Sequence, residues 1–125
     1  MMDSASSSNF WDYLDQLIAS QPLIIDRPRG SHHPRFPEIV YPLDYGFLEG
    51  TTSGDGSGID VWLGASGIRH LSAVILTVDL YKRDTEIKLL LGCSEQEIQT
   101  ILDFHNDNGM RATLVRRPTN QGDAK

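Results

Sequence analysis

Residues Tyr41–Asp60 read YPLDYGFLEGTTSGDGSGID, and the rest of the chain is arranged around them. The run begins with Tyr41 and Tyr45 in a Tyr-Pro-x-x-Tyr-Gly pattern and closes with Asp55 and Asp60, held apart by small residues. Downstream, Asp79 and Asp84 repeat the same five-residue separation. Four carboxylates in two matched pairs predict a site for a hard divalent cation, because Mg²⁺ takes oxygen ligands and is usually held by carboxylates together with substrate phosphates. Asp79 carries the most weight, since it interrupts an apolar strand, where an unpaired carboxylate is costly. Asp55 alone would be an ordinary turn residue. Asp84, after Lys82-Arg83, reads equally as part of a surface turn.

Working outward, Asp44–Leu48 reads as a strand and Glu49–Gly58 as a loop rich in Gly, Thr and Ser. The loop has neither the Gly-Lys-Ser/Thr ending of a P-loop nor the ligand spacing of an EF-hand. Ile59–Leu63, Leu71–Leu80 and Glu86–Leu91 follow as strands, the second of them long, apolar and central. Ser94-Glu95-Gln96-Glu97 fits a capping box that opens a helix, with Ile98, Ile101, Leu102 and His105 on its apolar face and a stop at Asn108-Gly109. Arg111–Arg117 is a last strand. On the other side of the central run, Pro22–Asp26 is a short strand. It is preceded by a helix capped at Ser8 or Asn9, whose Phe10, Trp11, Tyr13, Leu14, Leu17 and Ile18 recur at helical spacing. That face can pack on its own domain or on a second subunit. Residues 1–7 are small and polar and are expected to be disordered, residues 8–118 to form a single domain, and 119–125 a loose tail. Strands joined by irregular loops, with helices only at the ends, predict an α+β domain built on a small antiparallel barrel.

The chain has 125 residues, a formal net charge of −6 and a pI of about 5.0. That length suits one modest core. The acidic balance argues against nucleic acid as a partner, since phosphate backbones call for a basic face. With the single cysteine, Cys93, no intramolecular disulfide can form, and it reads as a small core residue. No apolar run reaches the roughly 20 residues of a membrane span, and the first residues lack a signal peptide's basic start. A soluble cytoplasmic protein is expected. One local exception to the acidic balance is RPRGSHHPRFPEI at 27–39, which holds Arg27, Arg29, His32, His33 and Arg35. It is either a solvated loop or an anion clamp, since guanidinium forks suit phosphate oxygens. The adjacent histidines are no metal motif, because neighbours in an extended chain point to opposite sides.

The run IDRPRGSHHPRFPEIVYPLDYGFLEGTTSGDGSGIDVW, followed by VDLYKRDTEIKLLLG, resembles the soluble family I inorganic pyrophosphatases, over about residues 22–92. Its most specific part is Tyr41-Pro42-x-x-Tyr45-Gly46 followed by Asp55-x-x-x-x-Asp60-Val61. The resemblance implies a five-stranded, OB-like barrel flanked by an N-terminal helix and a helix near the C-terminus. It implies hydrolysis of diphosphate to phosphate with Mg²⁺, Mn²⁺ being the alternative, and a homo-oligomer. Carried over by position, Asp55, Asp60, Asp79 and Asp84 would ligate metal. Asp55, Asp60 and Tyr45 would form the catalytic centre, while Arg27, Arg29, Arg35, Tyr41 and Lys88 would bind substrate. Asp26 falls near the family's first acidic position.

Departures accompany the match. The family's D-x-D-P-x-D signature reads Asp55-Gly56-Ser57-Gly58-Ile59-Asp60, with Ser57 where the middle aspartate belongs. A serine hydroxyl is a poor general base, because that work needs a usable pKa. Pro37 replaces a glutamate, Glu86 replaces a lysine two residues after the fourth aspartate, and a segment that carries a phosphate-binding arginine is shortened. The family's Tyr-Lys pair has no clear match around His105–Asn108. Two readings follow: a compact metal-dependent diphosphatase, slow or retuned to a related phosphoanhydride, and a non-catalytic pyrophosphatase-like module that binds metal and phosphate or serves assembly.

Overall fold

The structure, a computed structural model, describes residues 2–119, and their side chains from residue 9. In chain order its elements are α1 (Met2–Ser20), β1 (Leu23–Arg27), β2 (Asp44–Leu48), β3 (Ile59–Leu63), β4 (Leu71–Asp79), β5 (Asp84–Leu91), α2 (Glu95–His105) and β6 (Met110–Arg116). Helix α1 thus begins before the cap expected at Ser8 or Asn9 and takes in the segment expected to be disordered. From residue 120 on, the expected tail lies outside the described residues. No helix among them is long and apolar enough to cross a membrane.

The α+β class is as expected, but the five-stranded antiparallel barrel is corrected. Six strands form one sheet in the order β1-β2-β3-β5-β4-β6, in which β3 and β5 run parallel and all other pairs antiparallel. Among the described residues β1 and β6 pair on one side only, so the sheet is open. Closure is a matter of long-range pairing between the first and last strands, which strand-by-strand alternation does not encode.

Strict alternation along the strands divides the side chains between two faces. One face carries Leu48, Val61, Val74, Leu89 and Leu91, and α1 covers it with Trp11, Ile18, Leu14 and Leu17. The N-terminal helix therefore packs on its own sheet. Arg69 holds its C-terminal end, donating to the carbonyls of Ile18 and Gln21 at 3.0 and 3.2 Å, which satisfies carbonyls a helix end leaves unpaired. Arg117, just past β6, donates to both carboxylate oxygens of Asp15 at 2.9 and 2.7 Å and ties the same helix to the far edge.

The other face carries Trp62, Ala73, Ile75 and Leu90 under Ile98 and Ile101 of α2. Helix α2 starts where the capping box predicts. Ser94 Oγ accepts from the Glu97 amide, and a Glu97 side-chain oxygen accepts from the Ser94 amide. Glu97 also accepts from the Ala65 amide at 2.9 Å, so one side chain fixes both the helix start and the β3–β4 connection. The helix ends at His105, with Asn106 as its cap, earlier than the expected Asn108-Gly109.

Two backbone details aim side chains at this second face. Gly46 lies so close to β1 that a Cβ there would sit 1.8 Å from the Ile24 carbonyl oxygen. Only glycine allows that approach, which accounts for the Tyr-Gly step at 45–46. Nearby, the pairing of β1 with β2 slips between Ile25 and Arg27. That bulge sets Arg27, not Asp26, opposite Tyr45.

Candidate functional site

The α2 face is apolar only near the helix. Towards the opposite end of the strands its residues become Tyr45 on β2, Asp60 on β3, Glu86 and Lys88 on β5, and Thr77 and Asp79 on β4. Register brings them together: Asp60 is the partner of Lys88 across the parallel pair, and Thr77 of Glu86 across the antiparallel one.

Lys88 is the centre. Its Nζ donates to Asp60 Oδ2 at 2.7 Å, to Glu86 Oε1 at 2.8 Å and to Tyr45 Oη at 2.8 Å. Its side chain is 6% exposed, against 8% for Glu86 and 25% for Asp60. Burial alone would pull the ammonium pKa down, but Tyr45, Asp60 and Glu86 outweigh it and hold the pKa well above its ordinary value. An ammonium has three protons, and all three are committed to protein oxygens. Lys88 therefore neutralises its neighbours and has no free donor to offer a substrate. Burial is also the main cause of the raised Tyr45 hydroxyl pKa.

Asp55 joins from the loop below. Its carboxylate accepts from Ser53 Oγ at 2.6 Å and from the Ser57 amide at 2.9 Å. The Glu86 carboxyl nearby, ahead of Ser53 and the Ser57 amide, holds Asp55 below the usual carboxylate range. Glu86 moves the other way, raised by burial first and then by Asp55. A neighbouring carboxylate disfavours a second ionised carboxyl, which is the direction in which Glu86 moves. Ser57 sits in the same turn with its amide turned to Asp55.

The second aspartate pair is elsewhere. Asp79 and Asp84 are cross-strand partners at the base of the β4–β5 hairpin. Asp79, 9% exposed, is not an unpaired carboxylate: its Oδ1 accepts from the amides of Tyr81 and Lys82 at 2.9 and 3.0 Å and so closes the hairpin turn. The four aspartates thus share a sheet face or its margin without converging. Among the described residues no three His, Cys, Asp or Glu side chains gather as a metal site. Asp55 and Glu86 are neighbouring carboxylates that could hold a hard cation. A pair of carboxylates suffices for Mg²⁺ that arrives with phosphate ligands. The expected ligands Asp55, Asp60, Asp79 and Asp84 do not gather into one cluster among the described residues, and Glu86, which was not expected at the site, stands near Asp55. Its signal was its parity with Lys88.

The basic arm divides as well. Arg27 donates to Tyr41 Oη and lies 5.4 Å over the Tyr41 ring. Tyr41 is 4% exposed and packs on Tyr45, Trp62 and Phe104 at 5.4, 6.0 and 5.4 Å between centroids, which makes an aromatic floor beside the charged cluster. His33 stacks on Tyr41 at 6.3 Å. Its pKa is lowered by partial burial and then by the charges of Arg27, Lys82 and Arg35, which places three cations around it. Lys82 comes from the hairpin turn and was not foreseen. Its charge also contributes, least of the causes, to lowering Asp55. The Arg29 amide donates to Asp44 Oδ1 at 2.8 Å, which fixes the start of the arm. His32 is used locally, with Nδ1 2.6 Å from the Pro37 carbonyl.

Two other groups are structural. His105 is buried at the end of α2 and accepts at Nε2 from the Trp62 indole N–H at 3.1 Å, and burial lowers its pKa to about 3. The Cys93 thiol is pushed up to about 12, mainly by burial, which leaves it unreactive.

No protein-family model matches this sequence, and no curated protein matches it either. Solved structures do. An inorganic pyrophosphatase from Neisseria gonorrhoeae superposes with a TM-score of 0.55 at 18% identity, over 76% of this chain and 81% of that one. An inorganic phosphatase from Anaplasma phagocytophilum gives 0.54 at 16% identity, over 75% and 81%. An inorganic pyrophosphatase from Coxiella burnetii gives 0.53 at 16%, over 75% and 82%. At these identities the likeness concerns architecture and not residues. The resemblance first read from the Tyr-Pro-x-x-Tyr-Gly and aspartate motifs and the superposition of whole structures agree: this chain has a pyrophosphatase-like fold.

Proposed function

We propose that this chain binds inorganic diphosphate, or a related phosphoanhydride, at the polar end of the α2 face and hydrolyses it with a divalent cation. The observation that carries the reading is the convergence of Tyr45, Asp60 and Glu86 on Lys88 at 2.7–2.8 Å, with Asp55 fixed in the adjoining loop by the Ser57 amide. Phosphoanhydride hydrolysis needs negative charge neutralised on several oxygens, a leaving phosphate stabilised and a water relieved of a proton. Arg27, Arg35 and Lys82 are the cations with donors to offer phosphate oxygens. Asp55 and Glu86 would hold Mg²⁺, or Mn²⁺ in its place, and the ion would supply Lewis acidity towards the phosphate oxygens. Tyr45 keeps Lys88 in place. Arg29 and Lys88 have no substrate-binding part in this reading. A homo-oligomer and a cytoplasmic setting complete it.

A second reading, a non-catalytic phosphate-binding or assembly module on the same fold, is favoured by Ser57. Its position lacks an ionisable base, and its amide is committed to Asp55.

Phosphate release from diphosphate with Mg²⁺ separates the two, measured on the natural chain, on Asp55→Asn and on Ser57→Asp. The hydrolase reading expects release by the natural chain and a loss of at least about 100-fold in Asp55→Asn, the scale of removing one electrostatic contributor to a reacting centre. Release only by Ser57→Asp would establish the non-catalytic reading. Silence from all three would remove hydrolysis of diphosphate altogether.

A further inference from the structure

The Lys88 ammonium has the surroundings of a bound metal ion. Three oxygens from three strands converge on it: Tyr45 Oη from β2, Asp60 Oδ2 from β3 and Glu86 Oε1 from β5, all between 2.7 and 2.8 Å. The side chain is 6% exposed, so water takes little part. The β3–β5 register pairs Asp60 with Lys88, so an ammonium that left would abandon a partly buried carboxylate. We propose that Lys88 is the resident cation of this site and fills the oxygen cradle of Tyr45, Asp60 and Glu86 in place of a divalent ion.

Three consequences follow. Asp60 is not a metal ligand in this chain, despite its place in the aspartate motif. Any divalent ion is confined to the Asp55 side of Glu86, which offers few protein oxygens and leaves most of the ion's coordination to phosphate and water. The ligand class is then a phosphoanhydride that arrives with a single divalent cation, not one bridged to the protein by several. A lysine tethered in the sheet does not dissociate, so the charge of Asp60 is neutralised at any metal concentration. The inference stands on the Lys88 geometry and does not require that the chain hydrolyse anything.

The test is Mn²⁺ titration by calorimetry and electron paramagnetic resonance on the natural chain, Asp60→Asn, Lys88→Met and the double variant, each checked for folding by circular dichroism. In the chain that keeps Lys88, Asp60→Asn is expected to change Mn²⁺ affinity less than threefold. Lys88→Met is expected to bind one more Mn²⁺ than the natural chain, and the double variant to lose it again. A tenfold or greater weakening by Asp60→Asn would overturn the proposal, as would a folded Lys88→Met that gains no ion. If Lys88→Met does not fold, the ¹⁵Nζ resonance of Lys88 in the natural chain decides. It should be unmoved by millimolar Mg²⁺, whereas displacement of the ammonium by Mg²⁺ would overturn the proposal. A natural chain that binds no Mn²⁺ while Lys88→Met binds one would support the resident cation and remove the divalent ion from the function proposed above. The two readings can therefore fail separately.

Discussion

The two faces of the sheet are built from the same strands, residue by alternate residue, yet they have become different materials. Under α1 the side chains are aliphatic, apart from Trp11, and no charged group is buried among them. Under α2 the same strands present Tyr45, Trp62, Ile75 and Leu90, and within a few residues along β3, β4 and β5 the surface turns to Asp60, Glu86, Lys88 and Asp79. A dry face holds the sheet flat against its helix. An aromatic face whose far end is charged fixes polar groups in one geometry, because each buried polar atom demands a partner. The division of labour follows from the pleat: a period of two lets one strand serve stability and chemistry at once.

That comparison can be broken most severely by truncation. Trp62→Ala should cost about 3–5 kcal/mol and Leu71→Ala about 2–5 kcal/mol, since both side chains are almost fully buried. Denaturant titration would show both losses. The faces are separable if Leu71→Ala leaves Mn²⁺ binding per folded molecule intact while Trp62→Ala, which removes the floor beside Tyr45, does not. Equal damage from the two would show that the faces act as one unit.

A middling effect should come from acid. His105 is held neutral in the folded chain with its pKa lowered to about 3, mainly by burial. The unfolded chain takes up that proton near its ordinary value of 6.5, so between those limits the unfolded state binds more protons. The stabilisation is complete above about pH 6.5 and is lost as the pH falls towards 3. By pH 5 the loss should be about 2 kcal/mol. Melting measured from pH 8 to pH 5 should show this decline in the natural chain and a flatter course in His105→Gln. An unchanged slope in the variant would assign the acid sensitivity to other groups. The smallest effect is expected at the start of α2. Ser94→Ala should cost about 1 kcal/mol, with the charged cluster undisturbed. A change in cation affinity in Ser94→Ala would tie the helix start to the site.

Local features were legible in the sequence because local physics sets them. Strands β2 and β3 fall where apolar alternation puts them, and the Ser94–Glu97 box starts α2 where expected. What could not be read was long-range. The parallel β3–β5 pairing and the open edges depend on which strands meet, not on what any strand contains. The aspartate pairs show the same limit. Asp55/Asp60 and Asp79/Asp84 have equal spacing, but one spans a loop and the other a hairpin turn, so the four do not converge. Asp79 looked functional because it was charged within an apolar strand, and the turn amides of Tyr81 and Lys82 account for it. Glu86 looked like a loss, a lysine replaced. With Lys88 two residues on, it becomes half of an ion pair, which only the shared parity on β5 hinted at.

An open sheet also has rims. Strands β1 and β6 each present a row of backbone donors and acceptors that a strand from another molecule could join, the usual route to unwanted polymerisation. Both rims are defended by composition. Proline brackets β1 at Pro22 and Pro28, and proline cannot donate to a ladder. Past the last strand comes Pro118, and Arg116 and Arg117 at that end are held by the carboxylates of Glu95 and Asp15. A closed barrel has no rims to guard, and this chain, left open, guards its own with side chains that take no part in the core.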